Sequence, residues 1–439
     1  MVVAMVLFGE EPESTAASSI LRIAGSFPND WKVKLASLRD INELSESEKN
    51  LLVSNCDFEF IFNNEIFRRK LSDEEIVNAQ KILGYSIPLL LESSHYQKYN
   101  LKIWNKKHIE FIAQLVYYWN DFLSRVRPDV IISIYECKYP YSVLYQLAKR
   151  KGIKLLHIAV SRFGNSLIIL DNNLHPVFYR RLGNEEINHY YEECFMKING
   201  KIAKADLSKI RGRFRLPNFV KCVDYFRKYY SLNKWFQMTV PGFWQLSIRY
   251  ITKMIRAMIV PLLYKEADLN KKYFVFYLSH FDEATNSLHY NMYDQYELVK
   301  VISRSLPSGY FLYVKPHPHY NGNNVEIKRL LEILRLDNVK FIRAKTDPSK
   351  LIKNCVGVIT IGATSGMEAM FFDKPVLCFG DPFYANKYTA VLIRDFSKLP
   401  YQLAEIIADW GSSFDKIKRK EIISTYYAHQ IHIDNRISV

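Results

Sequence analysis

Two apolar patterns alternate along the chain. Short β-branched or aromatic runs predict strands, and apolar residues spaced three and four apart predict helices. Met1–Phe8 reads as a first strand, followed by the polar loop Gly9–Ser14 and a helix from about Ser18. Val33–Leu35 and Phe58–Phe62 are short strands, and Asp73–Ile82 is a helix started by Ser72. Ile109, Ile112, Leu115, Val116, Trp119, Phe122 and Leu123 give Lys107–Ser124 one apolar face, which reads as core. Val130–Tyr135 (strand), Tyr141–Arg150 (helix, ended by Gly152) and Ile153–Val160 (strand) form a β–α–β unit.

A second series opens at Lys271–Leu278. It continues as helix Met292–Ser303, strands Tyr310–Val314 and Val339–Ile342, helix Pro348–Asn354, strand Val356–Ile361, a helix from Met367 and strand Val376–Phe379. Leu399–Trp410 and the basic tail read as terminal helices. Alternating strands and helices predict an α/β protein with two Rossmann-like domains facing a cleft. The boundaries are 1–196, a basic and aromatic helical insert at 197–270, a second domain at 271–405 and a helical tail at 406–439.

Candidate chemistry sits where strands end. Gly362, Ala363, Thr364, Ser365 and Gly366 are all small and follow a buried strand, so their backbone N–H groups suit a phosphate. Thr364 or Ser365 is placed to cap the next helix, with Glu368 completing a capping box or meeting a ribose. A small-residue turn of this kind also occurs in α/β proteins without any ligand. Tyr310–Val314 runs into Lys315, Pro316, His317 and Pro318, where two prolines fix the backbone and hold Lys315 and His317 near the same sheet edge. In the first domain Glu136 follows a strand and is the first candidate for a catalytic carboxylate, with Glu10 and Glu11 behind it; a solvated loop glutamate is the alternative.

The stretches LYVKPHP, GATSGMEAMFFDKPVLCFG with PFY after it, and FYLSHFDEATNSLHYNMYDQYELV resemble the capsule and surface-polysaccharide synthesis proteins. That group includes bacterial Kdo transferases with a GT-B-like fold. The resemblance covers Tyr273–Tyr384. It carries an H-x-x-E-A-T stretch onto His280, Glu283 and Thr285, and a D-Q pair onto Asp294 and Gln295. Arg162 matches an arginine of an SRFGN-like stretch and suits a carboxylate or phosphate, a structural ion pair being the alternative. Leu278-Ser279 replaces the usual proline before the histidine, and Ser287–Tyr290 replaces a glycine-rich spacer.

The resemblance implies a glycosyltransferase that moves a Kdo-like sugar from a CMP-activated donor to a glycan or lipid-linked glycan. No D-x-D motif stands near these loops, so neither a metal nor a resident cofactor is expected. Two alternatives stay open: a nucleoside-diphosphate sugar or CDP-polyol donor, and a non-catalytic capsule assembly or export partner that binds glycan or membrane.

Composition narrows the setting. The 439 residues include 30 Tyr, 27 Phe and 6 Trp with only 16 Gly and 16 Pro, which argues against disorder. Six scattered cysteines without a C-x-x-C pair read as reduced core residues. Met1–Phe8 is too short for a secretory signal, so a cytoplasmic protein is expected. Of the net charge of +15, the segment 197–256 holds +12: 14 Lys or Arg against Asp206 and Asp224. Aromatic residues interleave with those charges, and Arg249, Lys253 and Arg256 share one helical face. An anionic membrane surface or acidic acceptor, a plain structural insert, or nucleic acid would each fit the mixture. No nucleic-acid module accompanies it, so nucleic acid is not expected as a partner. The expected place is the cytoplasm, with a peripheral site at the inner face of the membrane as the option the basic segment leaves open.

Overall fold

The computed structural model describes residues 3–8, 31–37, 46–47, 50, 58–60, 70–92, 106–134, 139–161, 166–173, 175–178, 180–204, 243–278, 294–316, 325–409 and 414–432. The chain divides into two compact units: Met1–Val177 with Asp224–Gly242 and Gln430–Val439, and Phe178–Val223 with Phe243–His429. Each holds its own mainly parallel sheet, so the fold is α/β with two Rossmann-like units.

In the first unit β1 (Val3–Phe8), β2 (Lys32–Ser37) and β3 (Phe58–Phe60) pair in parallel. Then come α1 (Asp73–Leu83), α2 (Ile87–Glu92), α3 (Lys106–Val126), β4 (Val130–Ile134), α4 (Tyr139–Arg150), β5 (Lys154–Val160) and β6 (Ser166–Leu170). α1 has the capping box its sequence suggests: Glu75 N donates to Ser72 Oγ at 3.2 Å and Ser72 N to Glu75 Oε2 at 2.8 Å. α3 buries Phe111, Ile112, Leu115, Val116, Trp119, Phe122 and Leu123, nearly the face read from its spacing. Fully burying a side chain such as Phe122 stabilises by about 1.5–3 kcal/mol, and α3 carries several on one stripe. Gly152 takes φ 70°, a left-handed conformation that ends α4 with little steric cost.

The sheet runs β6-β5-β4-β1-β2-β3, so the chain winds outward through β2 and β3 and then returns to β4 on the other side of β1. β6 turns back antiparallel to β5, a hairpin closed by Ser161 N donating to Ser166 O at 2.7 Å.

In the second unit α5 (Asn184–Lys204) and α6 (Phe243–Ile259) precede β7 (Tyr273–Tyr277). There follow α7 (Gln295–Ser305), β8 (Phe311–Lys315), α8 (Ile327–Ile333), β9 (Val339–Phe341), α9 (Pro348–Asn354) and β10 (Gly357–Thr360). α10 (Thr364–Met370), β11 (Val376–Cys378), β12 (Val391–Leu392), α11 (Leu399–Asp409) and α12 (Lys416–Ala428) complete it. The order β12-β11-β10-β7-β8-β9 makes β7 the first and central strand, flanked by β8 and β10. Phe274, Phe276, Leu312, Val314, Ile359 and Leu377 form its core. The last described strand, β13 (Ile431–His432), pairs with β6 in the first unit's sheet.

The domain limits read from sequence fall differently on this division. α5 and α12 both lie in the second unit, where Ser424 Oγ donates to Ile187 O at 2.7 Å and the Lys197 ammonium sits 4.7 Å from the Tyr427 ring centre. Phe178–Val223 therefore groups with the second unit, and α12 is part of that unit rather than a separate tail. The helix expected near Ser18 lies outside the described residues.

Candidate functional site

The second sheet reverses its winding between β7 and β10, since β8 and β9 lie to one side of β7 and β10, β11 and β12 to the other. In open parallel sheets that reversal parts the loops at the strands' carboxyl ends and leaves a crevice for a ligand. The turn Ile361–Ala363 leaves β10 here and leads into α10. Across β7, which pairs Phe276 with Ile359 and Tyr277 with Lys315, β8 ends at Lys315. Two of the segments singled out from sequence thus meet at one sheet edge, one on each neighbour of β7.

The turn is tied down from two directions. Ala363 N donates to Thr360 Oγ1 at 2.9 Å, and the Tyr384 phenol donates to Ala363 O at 2.6 Å. Tyr384 is itself held: Thr389 Oγ1 donates to Tyr384 O at 2.7 Å, while the buried Arg419 donates from Nε and Nη2 to Thr389 O at 2.9 and 2.8 Å. Burial lowers the Arg419 pKa to about 10, opposed by the charge of Asp373. Gly366 is required by this packing, because a Cβ there would lie 2.5 Å from Tyr384 Oη.

The capping box expected on α10 does not form. Ala363 is the N-cap residue and no side chain caps the helix, which starts at Thr364 rather than Met367. Tyr384, some twenty residues further along the chain, instead holds the carbonyl of the N-cap residue Ala363. Ser365 Oγ is buried without a hydrogen-bond partner, although Ser365 opens the helix beside the turn. A buried hydroxyl in that state is costly, and a ligand oxygen would satisfy it. Gly362 and Gly366 are buried, and Thr364 and Glu368 are half-buried.

Lys315 is fully buried, and its Nζ donates to Ala344 O at 2.8 Å. Burial pushes its pKa down to about 8, against the opposing pull of Glu368 first and Asp347 second. Its ammonium lies 5.9 Å from the ring centre of half-buried Tyr277, whose phenol is pushed up by burial and by the charge of Glu368. Lys315, Tyr277 and Glu368, from β8, β7 and α10, thus form one electrostatic group around the strand ends. Lys315 acts there as an internal charge and not as a surface cation.

Asp294 has a structural role. It caps α7 by accepting from Tyr296 N and Glu297 N, both at 3.0 Å, and pairs with Arg329. Gln295 is buried at the first position of α7. His280, Glu283, Thr285 and His317 lie outside the described residues, as do Glu10, Glu11, Glu136 and Arg162. β7 and β8 lead to the histidines, whereas β1 and β4, the strands at the first sheet's own reversal, lead to Glu10 and to Glu136.

The reading from sequence missed Tyr384, Thr360 and Tyr277. The PFY motif did carry Tyr384, but its partner is a backbone carbonyl that no spacing reveals. It also missed a buried polar trio in the first unit, where Ser133 Oγ lies 3.0 Å from Tyr145 Oη and 3.3 Å from His157 Nδ1. Burial there pushes the His157 pKa down to about 4.

The fold and this turn define a class: two-unit α/β proteins of Rossmann type with a tightly organised small-residue turn at a sheet reversal. Residues 218–387, less than half of the chain, match the family whose description is "Capsule polysaccharide biosynthesis protein". Over 280 residues the chain is 23% identical to the capsule polysaccharide export protein KpsS of Escherichia coli, covering 59% of this chain and 69% of that one. Among solved structures it is similar to the β-Kdo 2,7 transferase of Thermosulfurimonas dismutans KpsC, at 12% identity, TM-score 0.33 and coverage of 71% and 80%. The β-Kdo 2,4 transferase of that KpsC gives 15% identity, TM-score 0.32 and coverage of 68% and 79%.

Proposed function

We propose that the protein is a glycosyltransferase of capsule or surface-polysaccharide synthesis that moves a Kdo-like sugar from a CMP-activated donor to a glycan or lipid-linked glycan without an obligatory metal. The observation that carries this reading is the Gly362–Gly366 turn at the reversal of the second sheet, with the unpartnered Ser365 hydroxyl buried beside it. In transfer from a nucleotide sugar, negative charge grows on the departing phosphate, and preorganised donors stabilise that charge without reorganising. The backbone of Gly362–Gly366 with Thr364 and Ser365 binds the phosphate. His317 adds positive charge at the loop, and Lys315 adds it from within the fold. Glu136, His280 and Glu283 are the acid–base candidates, with Arg162 and Gln295 on the donor. A capsule enzyme with a lipid-linked acceptor works at the inner face of the membrane.

The test is thermal stability of the purified protein against CMP, CDP, UDP, GDP and ADP, since a ligand that binds only the native state raises the melting temperature. A shift with CMP alone, followed by turnover of a CMP-ulosonate that His317→Ala abolishes, is the expected result. A shift with a diphosphate moves the donor to the nucleoside-diphosphate or CDP-polyol class. No shift, no donor hydrolysis and retained glycan binding would replace the enzyme reading with a capsule assembly or export partner, the role named in the KpsS relative.

A further inference from the structure

The geometry points to α6 as a helix that lies in the interface of an anionic bilayer. Ile248, Ile251, Ile255 and Met258 recur at intervals of three, four and three, so they share one stripe. Leu262, in the turn that follows, extends it. All five are exposed: Leu262 by 81%, Ile248 by 64%, Ile251 by 57%, Met258 by 51% and Ile255 by 43%. Val260, by contrast, is fully buried in the second unit's core and anchors this end of the helix to the sheet. Single exposed aliphatic residues are ordinary, but four in one row on a helix whose end is anchored, extended by Leu262 in the turn after it, form a patch that calls for an occupant.

Charge selects the occupant. α6 contains Arg249, Lys253 and Arg256 and no Asp or Glu. It also closes the segment 197–256, in which 14 Lys or Arg face only two acids. A second copy of the chain seated on the stripe would bring two such cationic helices together and set like charges against each other. Nucleic acid would satisfy the cations but leave the aliphatic row in water. An anionic lipid surface accepts both, since headgroups meet the cations while Ile, Met and Leu enter the acyl boundary. Among the described residues no helix is long and apolar enough to cross a membrane, which fits α6 lying flat. This docking extends the lipid-linked acceptor of the proposed function but does not depend on it.

The experiment uses the full chain and no donor or acceptor, so its failure leaves the transferase reading standing. Co-sedimentation is measured with phosphatidylcholine vesicles and with vesicles containing added phosphatidylglycerol. The expected result is binding to the anionic vesicles that weakens as salt is raised. The double variant Ile251→Asp, Ile255→Asp should lose roughly tenfold or more of that binding while keeping its circular dichroism and melting temperature. A second variant, Met258→Trp, reads insertion directly, and its emission should move to the blue with anionic vesicles only. The proposal is overturned if the wild type stays in the supernatant with anionic vesicles at low salt, or if the Asp variant sediments as the wild type does. It is also overturned if Met258→Trp emission is unmoved, or if the Asp substitutions change the oligomeric mass but not vesicle binding.

Discussion

The Tyr384 phenol donates to the Ala363 carbonyl at 2.6 Å, and through that bond the segment after β11 sets the shape of the turn after β10. Tyr384 is fully buried, so the bond is shielded from water. Replacing Tyr384 with Phe keeps the ring and removes the donor, leaving the Ala363 carbonyl with one partner fewer. The expected loss is about 1–2 kcal/mol. For a unit of this size that is a melting temperature lower by about 2–6 °C. Calorimetry on the pair checks it, and an unchanged midpoint would mean the bond adds nothing to the fold.

Gly366 and Tyr384 are coupled by distance. A Cβ at residue 366 would meet Tyr384 Oη at 2.5 Å and ring carbons at 3.0 Å, so Gly366→Ala should cost about 1–3 kcal/mol through overpacking. Removing the hydroxyl removes the tightest of these contacts. The double variant Gly366→Ala, Tyr384→Phe should therefore be more stable than the sum of the two single losses predicts. Strict additivity in denaturant unfolding would show that the contact relaxes elsewhere.

The parts of the fold legible in the chain were those whose pattern is local. α1 and α3 follow from Ser72 capping and the Ile109–Leu123 stripe, and β4 and β7 from compact apolar runs. α5 was not legible, because its inward side is answered by α12 more than two hundred residues later. The candidate turn was located from its small residues, but the capping expected of it was misassigned. Capping by Thr364 or Ser365 is a local rule, and it fails because the helix starts at Thr364 and leaves Ala363 as the N-cap, whose carbonyl accepts from Tyr384 in another loop. Lys315 follows the same logic: a lysine before a proline at a strand end suggests an outward cation, and only the Ala344 carbonyl explains why it is buried.

Lys315 also predicts an alkaline dependence. Its pKa is about 8 in the fold, below its ordinary value of 10.5, so between those values the unfolded chain binds more protons than the native one. Stability must then rise with pH across that window, by up to about 3 kcal/mol for this group. Below pH 8 both states are charged and the term is flat. In Lys315→Met the rise disappears, so the difference between wild type and variant, followed from pH 7 to 10 by urea unfolding, isolates the buried ammonium. A constant difference would mean that Lys315 is not desolvated.

His157 acts on the acid side. Burial holds its pKa near 4, below the ordinary 6.5, so the unfolded chain again takes up the proton first. The stabilising contribution is complete above pH 6.5 and falls away as the pH drops toward 4, by up to about 3 kcal/mol. His157→Gln keeps the size and polarity beside Ser133 but cannot titrate, so its unfolding midpoint should be flatter than the wild type's between pH 6.5 and 4. Parallel curves for the two proteins would remove His157 from the acid dependence.

Ser365 separates what the fold needs from what a ligand needs. Its Oγ is buried with no partner, so in the free protein the hydroxyl carries a desolvation cost and returns no hydrogen bond. Ser365→Ala removes that cost at nearly constant shape, and the free protein should be as stable as the wild type or more stable, by up to about 1 kcal/mol. If the donor's phosphate sits at this turn, the hydroxyl is satisfied only in the complex, and the same substitution should weaken nucleotide binding by about 1–2 kcal/mol, roughly five- to thirtyfold. Melting temperature without ligand and titration with CMP measure the two halves independently. Stability unchanged or raised together with weakened binding assigns Ser365 to the donor. Unchanged binding would move the phosphate away from this turn, and a fall in stability would mean that the hydroxyl supports the fold itself.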